Sequence, residues 1–469
     1  MYKKIALLIV MSLCLAGCGQ TAVLLDFLYE DSGVINLDEQ KIVLIGETYA
    51  DEALIDSQVK ANTTLYDCVS DRFDEINQKY NCEIEYQCFG STANYEERFT
   101  ALMFSGICPA DIIYGHTDSK LQAFTEAGHL YPLTGLKDYL NYENSEKFGS
   151  PGILEAAMIN GIPHAVQPCY WPGFQNNFNF VLIYNPIITT QQGVSDLHEY
   201  YENENWTWEI YQSIIENFDN GGDDSFYATM SRTEAFAMMA LSSNGVKGVD
   251  YLDGILKSDI STPKAIRAVE WMQDLFINNE ESILIPDDWE LDEFIDSSVM
   301  TALTTTPQIT AGKVQYDSTV RFGIMPFPCG PDGTYGEWAQ YTAAIRGFAI
   351  PANHTDPEVS ARIINDLCEP FEDFGGEEGL YDYFNENVFF DPVDTEIFFA
   401  VGENVRYTYW RSTPNISELF NNVGEDFKTS SAVEMLTSFE PKLQDFIDRL
   451  LEANYENYLY EHLYGDMNE

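Results

Sequence analysis

The chain has 469 residues, and its 24 lysines and arginines stand against 76 aspartates and glutamates, for a net charge of −52. So acidic a chain is poorly suited to binding nucleic acids or anionic lipid head groups, because both attract basic surfaces. Hydrophobic residues make up 45%, with 29 tyrosines, 29 phenylalanines and 7 tryptophans, which excludes a disordered acidic chain. The length exceeds what one hydrophobic core usually supports, so we expect two lobes.

The first residues have the pattern of a secretory signal. Lys3 and Lys4 precede an apolar run over residues 5–16, which is too short for an ordinary membrane-spanning helix. The run ends in Leu15-Ala16-Gly17-Cys18, which resembles a bacterial lipobox. The resemblance implies a signal peptide at 1–17, cleavage before Cys18, lipidation of its thiol and a tether at 18–40. Since several buried acyl chains make a durable anchor, we expect the chain on the outer face of the bacterial cell membrane, held by lipid alone.

Seven of the nine cysteines lie beyond Cys18. They are odd in number and scattered, and they contain no C-x-x-C, which argues against a zinc site and against a full disulfide framework. We therefore expect no metal and no cofactor. Cys82 and Cys88 share one face of a predicted strand, and we interpret them as buried free thiols.

From residue 41 the chain alternates between strand and helix patterns. The predicted elements are a buried strand at 41–46, a helix from Thr63, an alternating strand at 82–88, a helical stripe at 95–103, a strand at 110–115 and a helix from Ser119 to a C-terminal Gly128. This β-α-β-α-β-α order implies a parallel sheet with helices on its faces, and hence an α/β fold.

The second half shows the same element types in a less regular order. We predict helices at 206–218, 263–276 and 356–367, strands at 320–325 and 343–350, and a loop at 221–224. The acidic stretch from Asp219 to Asp224 superficially suggests a calcium loop, but it lacks the glycine that such a loop needs at its sixth position.

Five segments, taken in order, resemble the family 1 extracellular solute-binding proteins of bacterial ABC importers, the group that contains the maltose-binding type. They are 104–113 with 127–133, 160–166, 181–186 with 206–209, 322–328, and 348–353 with 356–358. The resemblance covers roughly residues 41–370. It departs from the family in lacking a Ser/Gly/Asn-rich tether, and its last hundred residues match only as generic helices.

The resemblance implies a two-lobed periplasmic-binding-protein-like fold with discontinuous lobes around a ligand cleft. Lobe 1 would comprise 41–178 plus 342–372 and lobe 2 would comprise 179–341 plus 373–469, with crossings near 176–180 and 341–344. It also implies a monomer without enzymatic activity that captures a carbohydrate, an oligosaccharide by expectation. Hinge closure would then present the ligand to the permease subunits of an ABC importer.

Strand ends place the candidate site independently of the resemblance, because ligands of open α/β sheets collect at the carboxyl ends of strands. Aromatic rings can stack on the apolar face of a sugar, while carboxylates, amides and guanidinium groups bind its hydroxyls. We expect Trp171, Trp338 and Tyr49 to stack and Asp118 and Arg346 to anchor by hydrogen bonds. The candidate residues are Glu47, Tyr49, His116, Asp118, Tyr170, Trp171, Asn176, Arg232, Gln308, Trp338 and Arg346.

Structural roles compete with these assignments. Trp206 and Trp208 are interpreted as core residues at a helix start, whereas core and site are equally weighted for Trp171. A surface glycosidase with paired carboxylates and an adhesion or scaffold lipoprotein with an exposed apolar patch stay open as alternatives. The sequence contains no G-x-S-x-G, no H-E-x-x-H and no G-x-x-x-x-G-K-[ST].

Overall fold

The structure is a computed structural model. It describes residues 35–46, 63–90, 92–116, 121–148, 154, 158–159, 162–168, 178, 180–223, 225–252, 255–287, 290–310, 321–341, 346–371, 376–404, 406–408 and 429–452. Within these ranges, none of the helices combines the length and the apolar character that a bilayer crossing requires.

The described strands form two five-stranded sheets and three smaller ladders. The strands are β1 (Gln40–Gly46), β2 (Cys82–Cys88), β3 (Ile112–His116), β4 (Met158–Ile159), β5 (Ile162–Pro163), β6 (Ala165–Val166), β7 (Phe180–Tyr184), β8 (Tyr227–Met230), β9 (Val249–Leu252), β10 (Ile255–Ser258), β11 (Ile283–Leu284), β12 (Val299–Thr305), β13 (Gly323–Met325), β14 (Ala339–Tyr341), β15 (Arg346–Ala349) and β16 (Arg406–Thr408).

Helices lie between these strands and make up most of the described residues after 371. The helices are α1 (Thr63–Tyr80), α2 (Thr92–Phe104), α3 (Gln122–Glu126), α4 (Ser145–Phe148), α5 (Pro186–Gln191), α6 (Leu197–Glu202), α7 (Trp208–Glu216), α8 (Thr233–Ser243), α9 (Pro263–Asn278), α10 (Asp292–Ile295), α11 (Thr306–Thr310), α12 (Pro357–Leu367), α13 (Gly376–Asn387), α14 (Pro392–Glu403) and α15 (Ala432–Glu452).

The first sheet has the order β2-β1-β3-β15-β6. Strands β1, β2 and β3 are parallel, as their alternation with helices predicts, but β15 runs antiparallel between β3 and β6. Side chains alternate between two buried faces, so that Leu44 and Ile112 pack on one side and Ile45 and Ile113 on the other. The sheet is therefore mixed: the parallel arrangement predicted for the first three strands is confirmed, and β15, whose direction the sequence did not predict, is antiparallel to them.

The second sheet has the order β11-β8-β12-β7-β13 and repeats the design of the first. Strand β7 is antiparallel to its neighbours β12 and β13, while β8, β11 and β12 are parallel. In each sheet the antiparallel strand occupies the fourth place. Strand β7 follows the first sheet's β6 along the chain, and β15 follows β14, which lies beyond the last strand of the second sheet.

The second sheet has its own hydrophobic core, to which the C-terminal helices contribute. Aromatic residues of α7 and α8, among them Tyr211 and Phe236, pack with Phe398 of α14 and Leu436 of α15 in this core. The described helices of the last hundred residues, which the family resemblance left as generic helices, thus complete the packing around the second sheet.

Most predicted elements appear within a few residues of their expected bounds. Strand β2 spans the predicted residues 82–88, and α3 ends before Gly128, whose φ of +70° and N–H bond to the Thr125 carbonyl make it the expected C-terminal glycine. Cys82 is a buried free thiol as expected, but Cys88 is exposed, so that part of the interpretation was wrong. The crossings near 176–180 and 341–344 lie largely outside the described residues, and the lobe boundaries stay a prediction.

Candidate ligand-binding site

The carboxyl edge of the first sheet brings together residues that are far apart in sequence. Strand β3 ends at His116, and the antiparallel β15 begins at Arg346, which is the direct Cα partner of His116. The main chain therefore places these two predicted site residues side by side at this edge, although 229 positions of sequence separate them. Packing of β15 between β3 and β6 is the cause, since an antiparallel strand starts where its parallel neighbours end.

Gln167 is a polar residue of this edge that the sequence prediction missed. It directly follows β6, and its side chain is buried to 4% exposure. Its carboxamide oxygen has no hydrogen-bond partner among the described residues. An unpaired buried acceptor costs about 1–3 kcal/mol, so a ligand hydroxyl that donates to it would recover that energy. The strand-end rule alone could have found Gln167, because it is the first polar residue after the apolar strand.

A phenol also reaches the end of β1. Gly46 is the last residue of β1, and the Tyr86 hydroxyl lies 2.6 Å from the position that a Cβ of Gly46 would occupy. Any larger residue at Gly46 would displace this ring. Tyr86 thus lies beside the strand end that carries the predicted residues Glu47 and Tyr49, both of which fall outside the described residues.

The carboxyl edge of the second sheet carries a charged pair. Arg232 follows β8, and its Nε donates to Glu234 in the first turn of α8, while Nη1 donates to the Asp287 carbonyl at 3.2 Å. Both side chains are largely buried, with 28% and 16% exposed. The carboxylate is also favoured by the positive end of the α8 dipole. The guanidinium is thus held in a fixed orientation at the strand end.

Residues at the end of β12 complete the second edge. Thr306 Oγ1 donates to the Phe178 carbonyl at 2.9 Å, which joins the first turn of α11 to the segment that precedes β7. Gln308 lies two residues after Thr306 in α11 and is half-buried. Arg232 and Gln308 therefore both lie at the carboxyl edge of the second sheet, where they follow the neighbouring strands β8 and β12.

Trp338 lies in the core of the second sheet. Only 6% of it is exposed, and its ring stacks on Tyr201 with centroids 6.0 Å apart while Tyr335 packs against it at 5.2 Å. With its ring already covered by two tyrosines, Trp338 is not retained as a stacking platform. Trp206 and Trp208 are buried core residues, as predicted.

The remaining predicted residues lie outside the described residues. They are Glu47, Tyr49, Asp118, Tyr170, Trp171 and Asn176, together with the lipidation candidate Cys18. For His116 and Arg346 the structure describes the main chain.

The described part of the chain offers binding groups and no group of metal-ligating residues. Cys82, Cys88, Cys108, Cys329 and Cys368 are free. Burial raises the pKa of Cys108 and raises that of Cys329 to about 11, so neither thiol is activated as a nucleophile. The chemistry that these edges support is hydrogen bonding by an amide, a hydroxyl and a guanidinium.

Of the comparisons with known proteins, the one with solved structures identifies the fold. No protein-family model matches the sequence, and no curated protein matches it either. Solved structures do match. The sugar-binding protein MalE from Xanthomonas citri has a TM-score of 0.60 at 13% identity, covering 89% of this chain and 98% of that one. UgpB from Mycobacterium tuberculosis, in complex with glycerophosphocholine, has a TM-score of 0.59 at 15% identity, covering 88% and 100%.

A third match is the cyclic α-maltosyl-1,6-maltose binding protein from Arthrobacter globiformis, with a TM-score of 0.59 at 14% identity over 87% of this chain and 99% of that one. The chain has the two-lobed fold of ABC-importer solute-binding proteins. The resemblance inferred from the sequence is thus confirmed at the level of the fold. Since nearly the whole of each neighbour is covered, both of their lobes have a counterpart in this chain, and the neighbours are binding proteins.

Proposed function

We propose that the chain is a lipid-anchored solute-binding protein that captures a carbohydrate between its two lobes and delivers it to the permease of an ABC importer. The observation that carries this proposal is the fold, in which two sheets of the same order each end in polar side chains. Neighbours of this fold were solved with cycloalternan, with maltotetraose and with acarbose. A neutral ligand also suits a chain with a net charge of −52, because an anion would be repelled.

The proposed site combines groups from both sheets. His116, Arg346 and Gln167 would act from the first sheet, and Arg232 and Gln308 from the second. Six further residues, which follow these strands in the sequence and lie outside the described residues, would join them, namely Glu47, Tyr49, Asp118, Tyr170, Trp171 and Asn176. A ligand that bridges both edges stabilises the closed arrangement of the lobes, and the closed form would dock on the permease.

Titration of purified protein with maltose, maltotetraose, cyclodextrin, cycloalternan and glycerophosphocholine tests this proposal. Thermal stability and tryptophan emission report binding, and chromatography of the sugars reports turnover. We expect saturable stabilisation by at least one sugar with no product. Release of product would establish the glycosidase alternative instead. Stabilisation by glycerophosphocholine alone, the ligand of the UgpB complex, would replace the carbohydrate by another ligand class.

The membrane anchor is proposed from the sequence, since Cys18 lies outside the described residues. Expression of the full chain in a bacterium that is fed a clickable fatty acid tests it. We expect label on the wild-type chain in the membrane fraction and none on Cys18→Ala. An unlabelled wild-type chain, or equal label on the variant, would remove the anchor from the proposal.

A further inference from the structure

A buried cluster of titratable groups lies at the edge of the second sheet opposite to the candidate site. Tyr184 is the last residue of β7, and since β7 is antiparallel to β12, Tyr184 lies at the end away from the strand ends described above. Around it are His198 of α6 and Asp394 in the first turn of α14. The proposed ligand-binding function makes no use of this cluster.

His198 is the centre of the cluster. Its Nε2 lies 2.9 Å from Asp394 Oδ1 and 3.2 Å from the Tyr184 hydroxyl, and its Nδ1 lies 3.8 Å from Asp196 Oδ1. The His198 side chain is 7% exposed and that of Asp394 is 1% exposed. Asp394 Oδ1 also accepts from the Ile324 N–H at 2.7 Å, which ties α14 to β13. One carboxylate thus connects α6, α14 and the edge strand of the sheet.

Two neighbouring residues, Gly323 and Asp196, hold the cluster in this arrangement. Gly323 of β13 is the direct partner of Tyr184, and a Cβ at Gly323 would overlap the Tyr184 ring. Asp196 caps α6 by accepting from the His198 N–H at 3.2 Å. Gly323 therefore leaves the space that the Tyr184 ring occupies beside His198, and the Asp196 cap positions His198 at the start of α6.

The charges that face His198 are negative. Burial by itself lowers the pKa of His198, but the hydrogen bond and the charge of Asp394, with the charges of Asp196 and Asp391, outweigh burial and raise the pKa above its ordinary value. The phenol of Tyr184 stays protonated, because burial and the same three carboxylates raise its pKa. Imidazolium is therefore the form that this environment favours, paired with the carboxylate of Asp394.

Helix α14 connects this cluster to the other side of the sheet. Phe398, one turn after Asp394, packs on Phe178 with ring centroids 5.0 Å apart and stacks on Phe384 of α13 at 4.9 Å. The Phe178 carbonyl accepts the hydrogen bond from Thr306 at the candidate site. A change in how α14 is held would thus reach the segment that precedes β7.

We propose that His198 is a pH-sensitive clamp, whose protonated imidazole holds α14 on the second sheet through Asp394 and releases it as the pH rises. A group whose pKa is raised on folding stabilises the folded state fully below its unfolded pKa of about 6.5 and loses that effect as the pH rises through the folded pKa. Deprotonation leaves the buried Asp394 carboxylate without its cation, which weakens the attachment of the helix.

Hydrogen–deuterium exchange of the peptide covering 392–403 tests the clamp in the full chain at pH 6 and pH 9, after correction for intrinsic exchange rates. In the wild type we expect protection of this peptide to fall with pH by about tenfold for each unit by which the pKa of His198 is raised. His198→Gln keeps a hydrogen-bonding side chain without the charge, and its protection should not change over this range. His354→Gln is the matched control, since His354 bonds to Asp111 at 2.8 Å in the first sheet region.

Two results would overturn the proposal. One is equal protection of 392–403 at both pH values in the wild type, and the other is an unchanged pH dependence in His198→Gln. If His198→Gln does not fold, an NMR titration of the wild-type imidazole decides, with Asp394→Asn used to assign the signal. We expect His198 to titrate above 6.5, and titration at or below that value would exclude the clamp.

Discussion

Acidification should destabilise the protein through a second histidine, His164. This residue lies between β5 and β6 with 1% exposure, and its Nδ1 is 2.9 Å from the Ile162 carbonyl oxygen. Burial lowers the pKa of His164 from 6.5 to about 4. Between these two values the unfolded chain binds a proton that the folded chain does not bind, so the free energy of unfolding falls as the pH falls.

The size of this effect follows from the two pKa values. At pH 5 the unfolded imidazole is 1.5 units below its pKa of 6.5 while the folded one is still neutral, which corresponds to a loss of about 2 kcal/mol relative to pH 7.5. In His164→Gln this contribution is absent, because glutamine does not titrate. The other groups, including His129 with its pKa lowered by burial, stay unchanged in the variant.

Urea unfolding at pH 7.5 and pH 5 measures the difference. We expect the wild type to lose about 2 kcal/mol more than His164→Gln between the two conditions, whatever the stability of the variant at pH 7.5. Gln444→Ala, an exposed substitution on α15, should keep the full pH dependence of the wild type. The same loss in the wild type and in His164→Gln would refute a neutral buried imidazole at this position.

Three further substitutions have effects that the contacts determine. Arg72→Met should lower the free energy of unfolding by about 3 kcal/mol in urea, because the buried guanidinium donates to three carbonyls at and after the end of α12, those of Asp366, Glu369 and Pro370. Lys79→Ala, at an exposed position, should cost less than about 1 kcal/mol, and an equally small cost for Arg72→Met would contradict the role of Arg72. Gly323→Ala should lower the melting temperature by several degrees, since its Cβ meets the Tyr184 ring, and an unchanged value would show that the ring can move away. Trp338→Ala should cost about 3–5 kcal/mol of stability without changing ligand affinity, and a loss of affinity at unchanged stability would return Trp338 to the site.

The elements that could be predicted from the sequence are those with a local signal. The strict alternation of 82–88 gives β2, and Pro263 with the apolar spacing that follows gives α9. Strand β15 lies within the strand predicted at 343–350, whereas the segment of β7 was noted only for its family resemblance, and the antiparallel insertion of neither strand could be predicted. Their hydrogen-bond partners come from the distant half of the chain, and nothing within either segment specifies them.

The candidate site shows the same division. His116 was predicted from its place at the end of a strand, whereas its pairing with Arg346 required the register of β15. The burial of Trp338 depends on Tyr201, which belongs to a helix far away in sequence, so a local reading could not separate core from platform. The cluster around His198 could not be predicted either, because the three carboxylates and one phenol around His198 come from β7, from the start of α6 and from the start of α14.

The central claim is that the chain binds a carbohydrate at the carboxyl ends of its two sheets. Gln167→Ala tests it most directly, measured by calorimetric titration with the tightest-binding sugar of the panel and compared with Gln444→Ala. Removing the hydrogen bond that a ligand hydroxyl would donate to the Gln167 oxygen, which has no partner among the described residues, should weaken binding by about 5- to 100-fold. This corresponds to about 1–3 kcal/mol, while the control keeps the wild-type affinity. Wild-type affinity in folded Gln167→Ala, or no binding of any sugar to the wild type, would contradict the claim.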